Sequence, residues 1–151
     1  MFTRVDTILG NLRDFSVGSR ALERVDIASD AMTRRVLRLA STAGDLGIRF
    51  ADGRRIADGD VVFADERRVI AVRVIAEPVL AVTPRSIAEA VDVAHALGNR
   101  HIPIQRDGVT IVVAYTDALA TLFTTLGVPF ERRSGALAQP FLHAFAPHVH
   151  E

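Results

Sequence analysis

The first half of the chain alternates hydrophobic and polar residues with the period of β-strands. Turn signals such as Asp58-Gly59 separate the alternating segments. The clearest of these segments are 34–39, 46–50 and 61–63. Short strands at this spacing predict a small β-domain. Residues 17–32 fit either a short helix or a long surface loop.

A helical period appears in the second half. Residues 69–82 form a β-branched run that Glu77-Pro78 interrupts, which predicts a bulge or a bend at a sheet edge. Apolar residues then recur at helical spacing in 87–97 and 119–126, with a hairpin turn between these two segments. A last strand is predicted at 128–132. The resulting order, β-α-β-β-α-β, is that of a ferredoxin-like split βαβ unit.

Taken together, the pattern predicts an α+β protein in three parts. A small all-β domain is expected at 1–70 and a ferredoxin-like βαββαβ domain at 71–134. Residues 135–151 lose charge and periodicity and are expected to form a flexible C-terminal tail. Gly98-Asn99 is the predicted end of the first helix, because both residues tolerate positive φ.

The zero net charge of the chain disfavours nucleic acid and anionic lipid as partners. The chain of 151 residues is 49% hydrophobic with a formal net charge of zero, so it should form a packed core without a field that attracts nucleic acid or anionic lipid. No segment approaches the roughly 18 apolar residues of a membrane-spanning helix. Arg4 and Asp6 make the N-terminus unlike a signal peptide. We therefore expect a cytoplasmic protein that binds neither nucleic acid nor membrane.

The absence of lysine and cysteine removes many kinds of chemistry. All 18 basic residues are arginine, which excludes lysine-based P-loops and Schiff bases, and the lack of cysteine excludes disulfides and thiolate sites. No G-x-S-x-G elbow is present, so a small hydrolase is the least supported class and we expect a protein that is not an enzyme. Asp58 and Asp60 flank a glycine and are interpreted as turn residues.

A set of arginines near the N-terminus is interleaved with acidic residues. No aromatic platform accompanies them, which disfavours RNA stacking and favours a solvated or protein-docking surface. The set comprises Arg13, Arg20, Arg24, Arg34, Arg35 and Arg38.

Imidazole is the remaining candidate metal ligand. His101 follows the predicted helix end and precedes Pro103, although a histidine at such a place is more often a structural residue than a ligand. His148 and His150 are spaced i, i+2, so an extended backbone places both imidazoles on one face; a solvated tail without a role is the alternative. His143 is a weaker candidate. Imidazole without thiolate suits Ni²⁺, Cu²⁺ or Zn²⁺.

Residues Leu97–Gln105 read L-G-N-R-H-I-P-I-Q. This segment closely resembles the H-L-G-N-R-H-x-P-x-Q motif of the UreE family, the urease accessory nickel metallochaperones. The likeness extends over nearly the whole chain. Further similar segments are 35–38, 45–49, 56–61, 77–80 and 130–135.

The resemblance implies a peptide-binding-like β-domain followed by a ferredoxin-like metal-binding domain. It also implies a homodimer in which His101 of each subunit faces the other and binds one Ni²⁺, with His148 and His150 completing the coordination. Asn99 and Arg100 would shape the turn. Family members deliver Ni(II) as cargo to the urease assembly complex and meet the GTPase UreG. We expect Zn(II) or Cu(II) to compete for the site.

Two departures from the family limit these expectations. Some relatives carry extra histidines after the hairpin, where this chain has Tyr115-Thr116-Asp117-Ala118, so secondary metal sites are not expected there. The tail is short, so bulk nickel storage is not expected. The alternative function is a peptide-binding co-chaperone or assembly factor, in which an edge strand recruits clients and metal has no essential role.

Overall fold

The computed structural model describes residues 2–139. The chain divides into two compact units, Met1–Ile75 and Ala76–Glu151. It is a mixed α+β protein made mostly of sheets, with two α-helices in the second unit. Among the described residues, none of the helices has the length and apolar character needed to cross a membrane.

Two sheets and a short 3-10 helix, Ser29–Thr33, make up the first unit. One sheet has the strand order β1-β5-β4 and the other has the order β2-β6-β7-β3. The strands are β1 (Phe2–Val5), β2 (Gly10–Asn11), β3 (Ala21–Ile27), β4 (Val36–Ser41), β5 (Gly44–Arg49), β6 (Asp60–Ala64) and β7 (Arg68–Val74). The β-rich first half that the alternation predicts is therefore present.

Alternation explains β4, and a continuous apolar run explains β7. On β4, Leu37 and Leu39 are buried while Val36 and Arg38 are exposed, as expected for a strand with one face on the core. Four consecutive residues of β7, 69–72, are buried, because this strand lies between β6 and β3 and is covered on both faces.

The segment 17–32, interpreted as a helix or a surface loop, is neither. It contains strand β3, which pairs in parallel with β7 from Ala21↔Arg68 to Ile27↔Val74, and then the 3-10 helix. The charged residues Glu23, Arg24 and Asp26 mask its strand pattern. A parallel partner 47 residues away leaves no local signal in the sequence.

The two aspartates beside Gly59 are turn residues, as the sequence indicates. Asp60 is buried, and its carboxylate accepts hydrogen bonds from Asn11 Nδ2 at 3.1 Å and Ala57 N at 2.8 Å. The Asp58 carboxylate accepts one from Val74 N at 2.7 Å. Both side chains therefore fix the turn before β6.

Over residues 76–139, the second unit contains six elements in the order β-α-β-β-α-β. They are β8 (Ala76–Val82), α1 (Ile87–Asn99), β9 (Gln105–Asp107), β10 (Thr110–Ala114), α2 (Asp117–Leu126) and β11 (Phe130–Ala136). The strands form one sheet in the order β11-β8-β10-β9, with every neighbouring pair antiparallel. The predicted element order is thus found in the structure.

Side chains of both helices pack on one face of this sheet. Leu80 and Val113 from the strands meet Val93 and Leu97 of α1 and Phe123 of α2, all of which are buried. Each helix begins at a hydroxyl cap: Ser86 Oγ accepts from Glu89 N, and Thr116 Oγ1 accepts from Leu119 N.

The expected bulge or bend at a sheet edge around Glu77-Pro78 is wrong, because β8 pairs with β11 in unbroken register from Ala76 to Val82. The apolar run divides into β7 and β8 on either side of Ile75, and β8 is a central strand between β11 and β10. Pro78 is tolerated because it lies at the end of the ladder with β10, where Tyr115 N donates to the Pro78 carbonyl at 3.0 Å.

The structure also places two boundaries later than the sequence does. Residue 70 falls inside β7, which pairs with β3 and β6, and the two units divide after Ile75. At the other end, β11 continues through Ala136 and Leu137 is buried, so the sheet extends beyond residue 135.

Candidate metal site

The end of α1 has the geometry of a Schellman motif. His101 N donates to the Gly98 carbonyl at 3.0 Å, and Ile102 N donates to the Leu97 carbonyl at 3.1 Å. Leu97 is buried and Ile102 packs against the same core cluster, which supplies the hydrophobic contact typical of this motif. The turn that carries His101 is therefore fixed by two backbone hydrogen bonds and an apolar contact.

His101 itself occupies the left-handed position of this motif. Its φ is 54°, and no other non-glycine residue among those described has a positive φ. Glycine is the usual residue there, and histidine is among the few others that adopt the conformation with any frequency. The expectation that Gly98 or Asn99 would supply the positive φ is wrong, because both lie inside α1. The exposed imidazole thus extends from a rigid and strained turn.

The neighbours of His101 on α1 have structural roles. Asn99 Nδ2 lies 2.9 Å from His95 Nε2 on the exposed helix surface, and Arg100 Nη1 donates to the Ala96 carbonyl at 2.8 Å. These contacts join residues one helical turn apart. They tie Asn99 and Arg100 to α1.

A single chain does not bring three metal ligands together in the described part. Within residues 2–139, no group of three or more His, Cys, Asp or Glu side chains is arranged to hold an ion. The tail candidates His143, His148 and His150 lie outside the described residues. His101 is therefore the candidate ligand that the structure describes, and one imidazole needs further donors to hold an ion tightly.

The segment after β11 crosses the sheet toward the loop of His101. Leu137 packs on Val79, Ala81 and Val112, on the face opposite the helices. Gln139 N then donates to Gln105 Oε1 at 2.9 Å. Gln105 begins β9, the edge strand at the far side of the sheet from β11.

Because of this crossing, Gln139 contacts Gln105, a residue close to His101 in the sequence. Gln105 follows His101 by four residues, so their Cα atoms are at most about 15 Å apart. The sequence identifies Gln105 as part of the motif but gives no indication that its side chain holds residue 139. The sequence shows only that a polar residue, Gln105, begins an edge strand. Its hydrogen-bonding partner Gln139 lies 34 residues away, so no local pattern indicates the contact.

An apolar stripe runs along the exposed side of α1 and ends near His101. Ile87 is 85% exposed and Val91 is 59% exposed. Ala94 and Gly98 continue the stripe at helical spacing. A Cβ added to Gly98 would meet no atom within 4 Å, so the packing of this chain does not require glycine there. Beside the N-terminal part of the stripe lies a groove of about 480 Å³ lined by α1 and the β9–β10 hairpin.

Comparison with known proteins decides the family. A model of the N-terminal domain of the UreE urease accessory protein matches residues 5–75, and a model of its C-terminal domain matches residues 77–150. The chain belongs to the UreE family.

Several curated UreE proteins are similar over nearly the full length. The urease accessory protein UreE of Bacillus cereus is 33% identical over 147 residues, covering 97% of both chains. That of Geobacillus kaustophilus is 34% identical over 140 residues, covering 92% of this chain and 95% of its own. That of Corynebacterium efficiens is 34% identical over 149 residues, covering 97% and 99%. UreE proteins are accessory proteins and not enzymes.

The two UreE domain models coincide with the two units of the fold. The gap between the matched ranges, at residue 76, adjoins the division between Ile75 and Ala76. His101 and Gln105 both lie in the part that matches the C-terminal UreE domain. The motif that resembles the UreE family, Leu97–Gln105, therefore lies in the C-terminal UreE domain and includes the strained His101.

Residues 115–118, where secondary metal sites are not expected, take part in local contacts. Thr116 caps α2, and the Tyr115 hydroxyl donates to the Asp117 carboxylate. That hydrogen bond raises the pKa of the Tyr115 hydroxyl above its usual range. The Arg132 guanidinium lies 3.9 Å from the centre of the Tyr115 ring. A neutral phenol held in this way is a poor metal ligand.

Proposed function

We propose that this protein binds Ni(II) at His101 and delivers it during urease maturation. The observation that carries the proposal is the exposed imidazole of His101, held in the left-handed position of a fixed turn within the UreE C-terminal domain match. A preorganised ligand loses little conformational freedom on binding. The names of the relatives, all urease accessory proteins, support the destination of the ion.

The proposed site is completed by a homodimer. A two-fold axis beside the end of α1 would supply a second His101, because an isologous interface repeats each residue. The exposed stripe of Ile87, Val91, Ala94 and Gly98 supports this arrangement, since a large apolar surface beside the ligand favours burial against another chain. Gly98 would let the two backbones approach closely.

The tail histidines are the proposed further ligands. His148 lies nine residues after Gln139, and nine residues span up to about 30 Å when extended. That reach covers the separation between the Gln105 anchor and the His101 turn. His148 and His150 are the preferred donors and His143 is a weaker one. Donors on the tail would allow the ion to be released without unfolding the domain.

The remaining family features belong to the same proposal. The strand order β11-β8-β10-β9 and the β-α-β-β-α-β sequence support a ferredoxin-like metal-binding domain, and the two-sheet unit supports a peptide-binding-like domain. The inferred partners are a UreG-type GTPase and the urease assembly complex, met in the cytoplasm. Ni(II) is the cargo, and Zn(II) and Cu(II) would compete for imidazole donors.

Calorimetric titration with Ni²⁺ tests the proposal. The unmodified protein should bind one tight Ni²⁺ per dimer, as read together with its mass by native mass spectrometry. His101→Ala should abolish tight binding, because both central imidazoles are lost. Replacing His143, His148 and His150 together with alanine should weaken binding while leaving the stoichiometry unchanged.

His95→Ala is the matched control, since it removes an exposed imidazole from α1, the helix that precedes His101. It should bind Ni²⁺ as the unmodified protein does. Unchanged tight binding in His101→Ala would reject the site. If the unmodified protein takes up neither Ni²⁺ nor Zn²⁺ in stoichiometric amounts, the alternative of a metal-independent peptide-binding assembly factor is favoured instead.

A further inference from the structure

A cavity in the first unit is bordered by several charged residues. Its volume is about 360 Å³, and it lies between the turn at Asn11, the turn at Asp58, the edge strand β3 and the neighbouring strand β7. Three arginines border it, Arg13, Arg24 and Arg73. The volume is near the lower end of the range for small-ligand clefts, about 300–1,000 Å³.

Two of the charged groups on its wall are already satisfied. Arg73 donates to Asp26 through two parallel hydrogen bonds of 2.6 and 2.8 Å. This contact holds the pKa of the Asp26 carboxyl below its usual range. The Asp58 carboxylate accepts from Val74 N. The Arg73–Asp26 pair therefore adds little net charge to the cavity, and the formal positive charges of Arg13 and Arg24 outnumber the one formal negative charge of Asp58.

Arg13 and Arg24 differ from the other arginines of the N-terminal set. Within residues 2–139, neither guanidinium makes an ion pair or a hydrogen bond. By contrast, Arg34 pairs with Asp30 at 2.6 Å, and Arg38 pairs with Asp45. Two exposed cations without partners thus border one cavity whose third arginine is neutralised.

We propose that Arg13 and Arg24 bind carboxylate side chains of an acidic segment in a partner protein. The planar guanidinium fork matches a carboxylate in two hydrogen bonds, and an unpaired arginine has both free. The net charge of the chain is zero and no aromatic side chain among residues 2–139 lines the cavity, which disfavours nucleic acid. The inference does not rest on nickel binding, because all of its residues lie in the first unit.

Fluorescence anisotropy with a labelled tetraglutamate peptide tests this site, with tetraglutamine as the uncharged comparison. The unmodified protein should bind tetraglutamate and not tetraglutamine. The double variant Arg13→Gln, Arg24→Gln should bind it at least about tenfold more weakly, because the charge-assisted hydrogen bonds of both guanidinium groups are lost.

The double variant Arg34→Gln, Arg38→Gln is the matched control. It makes the same change in net charge, but its arginines are already paired with aspartates. It should bind tetraglutamate within about twofold of the unmodified protein, as expected for sites that do not couple. An equal loss in both double variants, or no binding by the unmodified protein at millimolar peptide, overturns the proposal. Displacement of the peptide by equimolar inorganic phosphate would indicate a small-anion site and would also overturn it.

Discussion

At the scale of single residues, the backbone of His101 is as informative as its imidazole. A non-glycine residue in the left-handed region costs of order 1–3 kcal/mol and persists only where the surrounding structure holds it there. Here two hydrogen bonds and the Leu97–Ile102 contact fix it. A glycine would satisfy the turn at lower cost, so the turn alone does not account for a histidine at this position. The side chain itself is the remaining reason.

Two substitutions at His101 distinguish the energetic cost of the turn conformation from the contribution of the imidazole to metal binding. His101→Gly and His101→Ala both remove the imidazole, so both should lose tight Ni²⁺ binding. Glycine adopts φ near 54° without a Cβ penalty, so His101→Gly should be more stable than His101→Ala by about 1 kcal/mol. Urea unfolding measures the difference. Equal stability of the two variants would contradict the strain described for this turn.

The motif could be found from sequence, but its conformation could not. Gly98 and Asn99 are the residues that helix-capping preferences select, yet the helix continues through both and ends so that His101 takes the positive φ. The position of a helix end is set by which side chains reach the core. Leu97 and Ile102 do so here, and that depends on tertiary packing.

At the scale of elements, α1 contains a destabilising glycine, Gly98, that the packing of the described chain does not require. Gly98 is exposed on the helix, and a Cβ there would meet open space. Glycine in a helix costs about 0.5–1 kcal/mol relative to alanine. The cost has a reason if another chain packs against the stripe of Ile87 and Val91.

Gly98→Ala should therefore have opposite effects on folding and on association. We expect the free energy of unfolding of the separated chain to rise by about 0.5–1 kcal/mol, and the dimer to dissociate at higher protein concentration. Urea unfolding and sedimentation equilibrium measure the two effects. Asp92→Ala changes an exposed residue of α1 away from the stripe and should leave the dimer unchanged. A dimer unaffected by Gly98→Ala would remove the stripe from the interface.

The sequence predicts the two helices better than it predicts the strands. The two helices were predicted because their hydroxyl caps and apolar spacing are local, as with Ser86 and Thr116. Strand β3 was missed because its hydrogen-bonding partner β7 is 47 residues away and its exposed face carries charges. The central position of β8 was missed for the same reason, since β11 lies far along the chain.

At the scale of the whole molecule, the two proposed sites lie on separate units with separate cores. Arg13→Gln with Arg24→Gln should leave the Ni²⁺ titration unchanged, and His101→Ala should leave tetraglutamate binding unchanged. Distant sites without shared partners usually behave additively. Running both assays on both variants measures the coupling, and a change in the unexpected assay would show that the sites communicate.

Acid should release the metal before it unfolds the protein. Imidazoles usually protonate near pH 6.5 and then no longer bind metal, so Ni²⁺ affinity should fall below about that pH. The fold should persist to a lower pH than metal binding does. Ion pairs and hydrogen bonds lower the pKa values of Asp26 and Asp65 below the ordinary 3.8 and that of Glu89 below the ordinary 4.5.

A lowered pKa in the folded state gives stability that is present above the unfolded value and is lost as the pH falls through the folded value. Unfolding free energy should thus decline only below about pH 4.5, the upper ordinary value among these groups. Equilibrium dialysis with Ni²⁺ and urea unfolding, each from pH 8 to pH 3, follow the two processes. Coincident loss of metal and structure would contradict the expected order.

The path of residues 137–139 has a practical consequence for shortening the chain. Leu137 covers Val79, Ala81 and Val112, and Gln139 is fastened to Gln105. A stop codon after Gln139 would spare this cover, whereas one after Ala136 would expose an apolar face of the sheet to water and to other chains. A cut after Gln139 would therefore remove all three of the proposed tail ligands and leave the apolar cover of the sheet in place.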